Sequence, residues 1–234
     1  RVIVTLFVNP TQFGSGEDFD AYPRTLPEDA QKLSDEGIDL LFAPDVQAIY
    51  PFGVANATRV SVPGLTDEFC GAGRPGHFDG VCSVVIRLFA LIQPDVAVFG
   101  QKDYQQQLVI RRMVEDIGLP IEVVTGAVVR EANGLAMSSR NSYLSDEDRE
   151  TAAGLHRVLQ RTGDHLQGGW EDYAALATEA LASLEDAGLE PEYFAIRDST
   201  DLSIPDSSCH ELVVLAGARV GGVRLIDNIV VTLE

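Results

Sequence analysis

The sequence predicts a doubly wound parallel α/β domain followed by a smaller α+β domain. Three observations carry this expectation: short apolar runs bounded by Pro or polar residues, helical periodicity between those runs, and a change of character beyond residue 127. The domains are accordingly expected at 1–127 and 128–234.

Residues 2–8 and 38–42 are largely apolar and suit strands buried on both faces of a parallel sheet. A helix is expected between them over 27–36, opening on Pro27. Residues 54–62 alternate weakly and read as an edge strand. The repeat of Val81, Val84, Val85, Leu88, Phe89 and Ile92 predicts a helix over 79–93, stopped by Pro94. A strand at 95–100, a helix at 104–117 with Ile110, Met113, Val114 and Ile117 inward, and a strand at 121–125 complete the alternating series. Such sheets bind ligands at the carboxyl ends of their strands. Further on, Ser145-Asp146-Glu147-Asp148 resembles a capping box opening a helix, 170–187 reads as a second helix, and strands follow near 190–197, 211–218 and 223–233. His156 and His165 are expected at the surface of an amphipathic helix.

Seventeen Lys and Arg against 36 Asp and Glu give a net charge of −19, which disfavours nucleic acid and anionic membranes as partners. No apolar run approaches the ~20 residues of a membrane helix, and the start lacks the layout of a signal peptide, so a cytoplasmic protein is expected. Cys70, Cys82 and Cys209 fit neither a disulfide framework nor a zinc spacing and are expected to be free thiols. Only Lys32 and Lys102 are lysines among the basic residues, which makes Lys102 a marked choice. Arg1 leads at once into a β-rich run with no initiator Met, as expected of a fragment.

Four constellations carry polar chemistry. Residues 7–13 end a strand in a Pro-containing turn that presents Asn9 and Gln12, either to orient a small substrate or, for Asn9, to satisfy the turn. Residues 71–78 form a Gly-rich loop with Arg74 and His77 before a helix, a setting that attracts anions but matches neither the P-loop nor the dinucleotide fingerprint. In residues 99–106 Lys102 sits where it could offset phosphate charge, Asp103 where it could cap the helix or bind ribose hydroxyls, and Gln106 on the first helical turn. Residues 128–141 place Ser138, Ser139 and Arg140 as phosphate donors beside Met137, which can pack on a base, or else form a solvated hinge. Glu28 and Asp29 open a helix, where carboxylates suit the dipole and where one could help hold Mg²⁺.

Taken in order, Phe-Val-Asn-Pro-Thr-Gln-Phe (7–13), Ala-Tyr-Pro-Arg-Thr-Leu (21–26), Arg-Pro-Gly-His-Phe (74–78), Gln-Pro-Asp-Val-Ala-Val-Phe-Gly-Gln-Lys-Asp-Tyr-Gln-Gln (93–106), Gly-Leu-Ala-Met-Ser-Ser-Arg-Asn (134–141) and Arg-Leu-Ile-Asp-Asn (224–228) closely resemble the pantothenate synthetase family. These are the ATP-dependent pantoate:beta-alanine ligases. The resemblance implies a Rossmann-like domain of the HIGH-motif nucleotidyltransferase superfamily, a C-terminal lid domain, and a homodimer in the coenzyme A pathway. It implies a reaction in which the pantoate carboxylate attacks Mg·ATP to give pantoyl adenylate and pyrophosphate, after which beta-alanine displaces AMP. By the same resemblance Gln12 and Gln106 bind pantoate with Asn9 beside them, and Lys102, Ser138, Ser139 and Arg140 hold the triphosphate. Asp103 binds the ribose near Gly100, Val129 and Met137 border the adenine, Tyr22, Arg74 and His77 line or brace the substrate side, and Glu28 or Asp29 stands on the Mg²⁺ side.

The departures are specific. The family's His-x-Gly-His motif lies upstream of the strand beginning at Val2, and His77 is the first histidine here, so these 234 residues alone are expected to be poorly active. Gln101 and Cys70 stand where the family usually carries Glu. Two other readings are weighed: a non-catalytic short form that keeps nucleotide or pantoate binding, and a related nucleotidyltransferase with another substrate, against which the glutamines Gln12 and Gln106 argue.

Overall fold

The structure, a computed structural model, describes residues 1–14 and 16–233. It is mixed α/β, with two parallel sheets and one antiparallel sheet. The chain falls into two compact units, residues 1–95 with 112–120, and 96–111 with 121–234. This grouping places the strand at 96–100 with the C-terminal part, whereas the boundary expected at 127/128 places it with the N-terminal part.

In the first unit, β1 (Ile3–Thr5) pairs in parallel with β2 (Leu40–Phe42), and α1 (Leu26–Asp35) lies between them in sequence. Two single-turn helices, α2 (Val46–Ile49) and α3 (Cys70–Gly73), precede α4 (His77–Ile92), the long helix that the periodicity predicts. It buries Val81, Val84, Val85 and Phe89, and it ends where Gln93 turns left-handed, φ +53°, and returns its N–H to the Phe89 carbonyl before Pro94. The edge strand expected at 54–62 is not formed. After a 3-10 turn at Val54–Asn56 the chain continues without regular structure, and α4 side chains satisfy it in place of a neighbouring strand: the Val60 N–H donates to Ser83 Oγ at 2.9 Å, and Arg87 donates to the Thr58 carbonyl at 2.8 Å.

In the second unit, β3 (Val96–Gly100) passes through a 3-10 turn at Gln101–Asp103 into α5 (Tyr104–Ile117), whose residues from 112 on group with the first unit, and the chain returns in β4 (Glu122–Gly126), parallel to β3. Ile110, Met113 and Val114 are buried as expected, but Ile117, in the last turn, is 51% exposed. Nor are the parallel strands covered on both faces, since Ile3, Leu40, Val96 and Val98 are all exposed. Sheets two strands wide leave every strand an open edge and one face short of cover.

Beyond a 3-10 turn at Ser139–Tyr143 come α6 (Asp146–Ala152), α7 (Gly154–Gln167) and α8 (Tyr173–Asp186). Ser145 caps α6 by accepting from the Asp148 N–H, and Asp172 caps α8 in the same way through Ala175, three residues later than the predicted start. The meander β5 (Glu190–Asp198), β6 (Glu211–Val220) and β7 (Val223–Thr232) packs Leu212, Val214 and Val231 against Leu155, Leu159 and Leu166 of α7 and Leu176 and Leu184 of α8. Gly221 and Gly222, both at positive φ, close the two-residue turn between β6 and β7. The three cysteines are free, and no helix among the described residues is long and apolar enough to cross a membrane.

Candidate active site

The first group of expected site residues gathers around the 3-10 turn Pro10–Gln12, in the N-terminal unit. Asn9 caps this turn and Pro10 presets its backbone. The Asn9 side chain is 2% exposed and fully engaged. Its Nδ2 donates to Gln12 Oε1 at 3.2 Å and to the Gly80 carbonyl at 3.1 Å. Its Oδ1 accepts from the Tyr50 hydroxyl at 2.7 Å, the Thr11 hydroxyl at 2.9 Å and the Thr11 N–H at 3.3 Å. The Asn9 side chain thus fills the turn-satisfying role that the sequence leaves open for it, and it aims Gln12, whose own Nε2 has no partner among the described residues. Gly80 makes this possible, because a Cβ there would stand 2.2 Å from the Thr11 carbonyl oxygen.

The Gln12 main chain is held from a second side. Its carbonyl accepts from Arg74 at 3.2 Å and from His77 Nδ1 at 2.7 Å, which leaves His77 Nε2 to accept from Arg74 at 3.1 Å. Arg74 also donates two bonds, 2.7 and 2.6 Å, to the carboxylate of Glu17, a partner not anticipated from the sequence. Those bonds hold the Glu17 carboxyl below its ordinary range. Burial raises the Tyr50 phenol, keeping it a hydroxyl. A cavity of about 300 Å³ is lined by Thr11, Gln12, Tyr50, Arg59, Arg74 and His77, enough for a small polar molecule. Tyr22 packs edge-on to Phe13, ring centroids 5.6 Å apart, and Phe13 itself lines that cavity.

Glu28 and Asp29 do not converge. They are consecutive on the first turn of α1, Asp29 accepts from the Thr25 hydroxyl at 2.9 Å, and no cluster of three metal-ligating residues exists among the described residues.

The second group lies in the C-terminal unit, past the carboxyl end of β3. Gly100 closes that strand opposite Gly126, and Lys102 and Asp103 follow on the 3-10 turn. Lys102 is half-buried, and its ammonium has no hydrogen bond or ion pair among the described residues. The exposed Asp103 carboxylate likewise has none, and it does not cap α5. Of the glutamines on the first turn of α5, Gln105 and Gln107 are buried, whereas Gln106 is half-exposed and its amide is unengaged among the described residues.

The 128–141 segment is an ordered hairpin. Arg130 bridges Ala136, the Glu131 N–H donates to Leu135 at 2.8 Å, and the Met137 N–H donates to Val129 at 2.9 Å. That register sets Val129 opposite Met137, and both are exposed, at 65% and 55%. The pair makes a small apolar face. Ser138 accepts from the Arg140 N–H at 3.3 Å, which opens the turn bearing Ser139 and Arg140.

Both pieces of this second group are anchored on β7. Asn228, 1% exposed, donates from Nδ2 to the carbonyls of Gln101 at 2.9 Å and Lys102 at 3.0 Å, while Gln101 donates to Asn228 Oδ1 at 3.3 Å. Asp227, 4% exposed, accepts from Arg130 at 2.6 and 3.0 Å, and Arg130 also donates to the Gly134 carbonyl at 3.1 Å. His156 is not at the surface as expected: its side chain is 13% exposed, with Nδ1 3.7 Å from Asp227 and without a hydrogen-bond partner. Burial first, and then the Arg130 guanidinium, lower its pKa against the pull of Asp227.

A family model described as pantoate-beta-alanine ligase matches residues 1–230. The chain is 52% identical over 233 residues to the pantothenate synthetase of Stutzerimonas stutzeri (strain A1501), covering 100% of this chain and 82% of that protein. It is 53% identical over 230 residues to that of Shewanella amazonensis, covering 98% and 82%. Among solved structures it resembles pantothenate synthetase from Thermus thermophilus, with a TM-score of 0.89 and 46% identity over 97% of this chain and 82% of that one. It also resembles the pantoate-beta-alanine ligase from Francisella tularensis complexed with beta-gamma ATP and beta-alanine, with a TM-score of 0.78 and 30% identity over 97% and 78%. With a family match running almost end to end and identities near one half, the chain belongs to the pantoate-beta-alanine ligase family.

Proposed function

We propose that the chain carries out the ATP-dependent condensation of pantoate with beta-alanine, through a pantoyl-adenylate intermediate, releasing pyrophosphate and then AMP. The observation that carries the reading is the half-buried ammonium of Lys102, which has no partner among the described residues in a chain of net charge −19. A cation left unpaired in so acidic a protein suits the charge that a triphosphate brings and shifts as its α-phosphorus is attacked.

On the pantoate side Gln12 and Gln106 offer amides to the hydroxy acid, with Arg74 and His77 bracing the first of them through its backbone. On the nucleotide side Lys102, Ser138, Ser139 and Arg140 hold the triphosphate, Asp103 takes the ribose hydroxyls near Gly100, and Val129 with Met137 borders the adenine. Positioning does most of the chemistry: the carboxylate is held for in-line attack, pyrophosphate leaves, and beta-alanine's amine then meets a mixed anhydride whose leaving group is AMP. Mg²⁺ is proposed to arrive on the nucleotide's own phosphate oxygens with Glu28 or Asp29 on its side, on the resemblance alone, and the steps above do not call on it. A homodimer, a lid role for the C-terminal part and a cytoplasmic setting follow from the same reading, on the resemblance alone.

The test is AMP release from ATP with pantoate, with and without beta-alanine. AMP appearing only when both are present supports the ligase. ATP bound without AMP release overturns it in favour of a non-catalytic binder, and AMP release with another acid points to a related nucleotidyltransferase.

A further inference from the structure

The two pieces that bear the proposed nucleotide contacts share an anchor. Each is tied from behind to one of two consecutive residues on β7. Asn228 donates both hydrogens of its amide to carbonyls of the 101–103 turn, and Asp227 takes the guanidinium of Arg130, which sits in the hairpin between Val129 and Gly134. The two are linked in turn, since Asp227 Oδ1 accepts from the Asn228 N–H at 2.8 Å. Successive strand residues point to opposite faces, so a single dipeptide reaches both loops.

We propose that Asp227 and Asn228 are positioning residues that together set the distance between Lys102 and the Val129–Met137 face, and thereby the fit of the nucleotide. The proposal rests on the reading of those two elements as the nucleotide side. Three features favour a set distance over mere burial of polar groups. Both residues are almost fully buried, their bonds go chiefly to main chain or to an arginine fixed at three oxygens, and β7 places Val223, Leu225 and Val231 in the hydrophobic core. Among the described residues, the side chains they serve, Lys102, Asp103, Val129 and Met137, stay unpaired or exposed. The support is rigid where the contacts are open, which is the arrangement expected of a preorganised site.

The variant Asn228→Asp keeps shape but turns two donated hydrogens into a carboxylate facing two carbonyl oxygens. Asn228→Ser keeps one donor and is the gentler form. Steady-state kinetics should show kcat/KM for ATP lowered on the order of 100-fold in Asn228→Asp and less in Asn228→Ser, with KM for pantoate within about twofold of wild type. A fall in kcat that leaves both KM values unchanged means only that less protein is folded, and overturns the proposal; so does unchanged kinetics. If Asn228→Asp does not fold, Asn228→Ser decides by the same KM comparison. A wild-type protein that releases no AMP fails the functional reading alone. The clamp is then judged by the Kd for ATP, where roughly tenfold weakening supports it and an unchanged value overturns it.

Discussion

Gln12 and Lys102 each follow a parallel strand on a 3-10 turn, yet the molecule supports them in opposite ways. Around Gln12 the functional side chain is itself tied: Asn9 holds its amide oxygen, while Arg74 and His77 hold its carbonyl. Around Lys102 the backbone alone is tied, by Asn228, and the ammonium is left without a partner among the described residues. The contrast fits the two ligands proposed. A small hydroxy acid is recognised by direction, which rewards a fixed amide, whereas a triphosphate is recognised by charge, and an internal ion pair would cancel the charge it needs.

The largest effect is expected from Lys102→Ala, which should lower kcat/KM for ATP by roughly 10²- to 10³-fold while thermal stability stays near wild type. A large loss of stability would break the contrast, because it would mean the ammonium is tied after all. Gly80→Ala comes next. Its Cβ would meet the Thr11 carbonyl at 2.2 Å, forcing the Gln12 turn off α4 at about 1–3 kcal/mol, and KM for pantoate should rise while KM for ATP holds. Equal rises in both KM values would show that the two groups are not separately supported. Met137→Ala is smaller, a few-fold rise in KM for ATP alone, measured with calorimetry alongside to check that stability is unaffected. Smallest is a pH effect. The Arg74 bonds depress the Glu17 pKa from its ordinary 4.5, so this ion pair adds stability above that value and loses it as pH falls through the depressed one. Glu17→Gln should therefore be less stable than wild type at pH 7, the two melting curves converging as the carboxyl of Glu17 is protonated on acidification. A gap that persists there would mean that the pair acts by shape and not by charge.

Local pattern made much of this legible. The helix at 104–117 and the three C-terminal strands announce themselves by periodicity and turn glycines, and the residues of both groups by short motifs within a few positions of one another. What stayed hidden involves distant partners. Asn9 meets Gly80 71 residues away, and Asn228 meets Lys102 126 residues away, so no window of sequence contains both ends of either bond. The missing edge strand has the same cause: residues 54–62 carry strand propensity, but Ser83 and Arg87 of α4 take the polar groups a neighbouring strand would have taken. Glu17 carries no signal in the sequence and His156 reads as a surface residue, because nothing near them in sequence names Arg74 or Asp227 as neighbours.

The glycine turn between β6 and β7 also bears on the order in which the molecule assembles. A two-residue hairpin closes on a timescale of about 1–10 μs, long before contacts that must wait for a hundred residues of chain to find their place. Asp227 and Asn228 sit opposite Ala216 and Leu215 in that hairpin, only a few rungs from its turn. They are therefore expected to be in position before the loops they hold, so that the turn bearing Lys102 and the hairpin bearing Met137 arrive late and dock onto a template already formed.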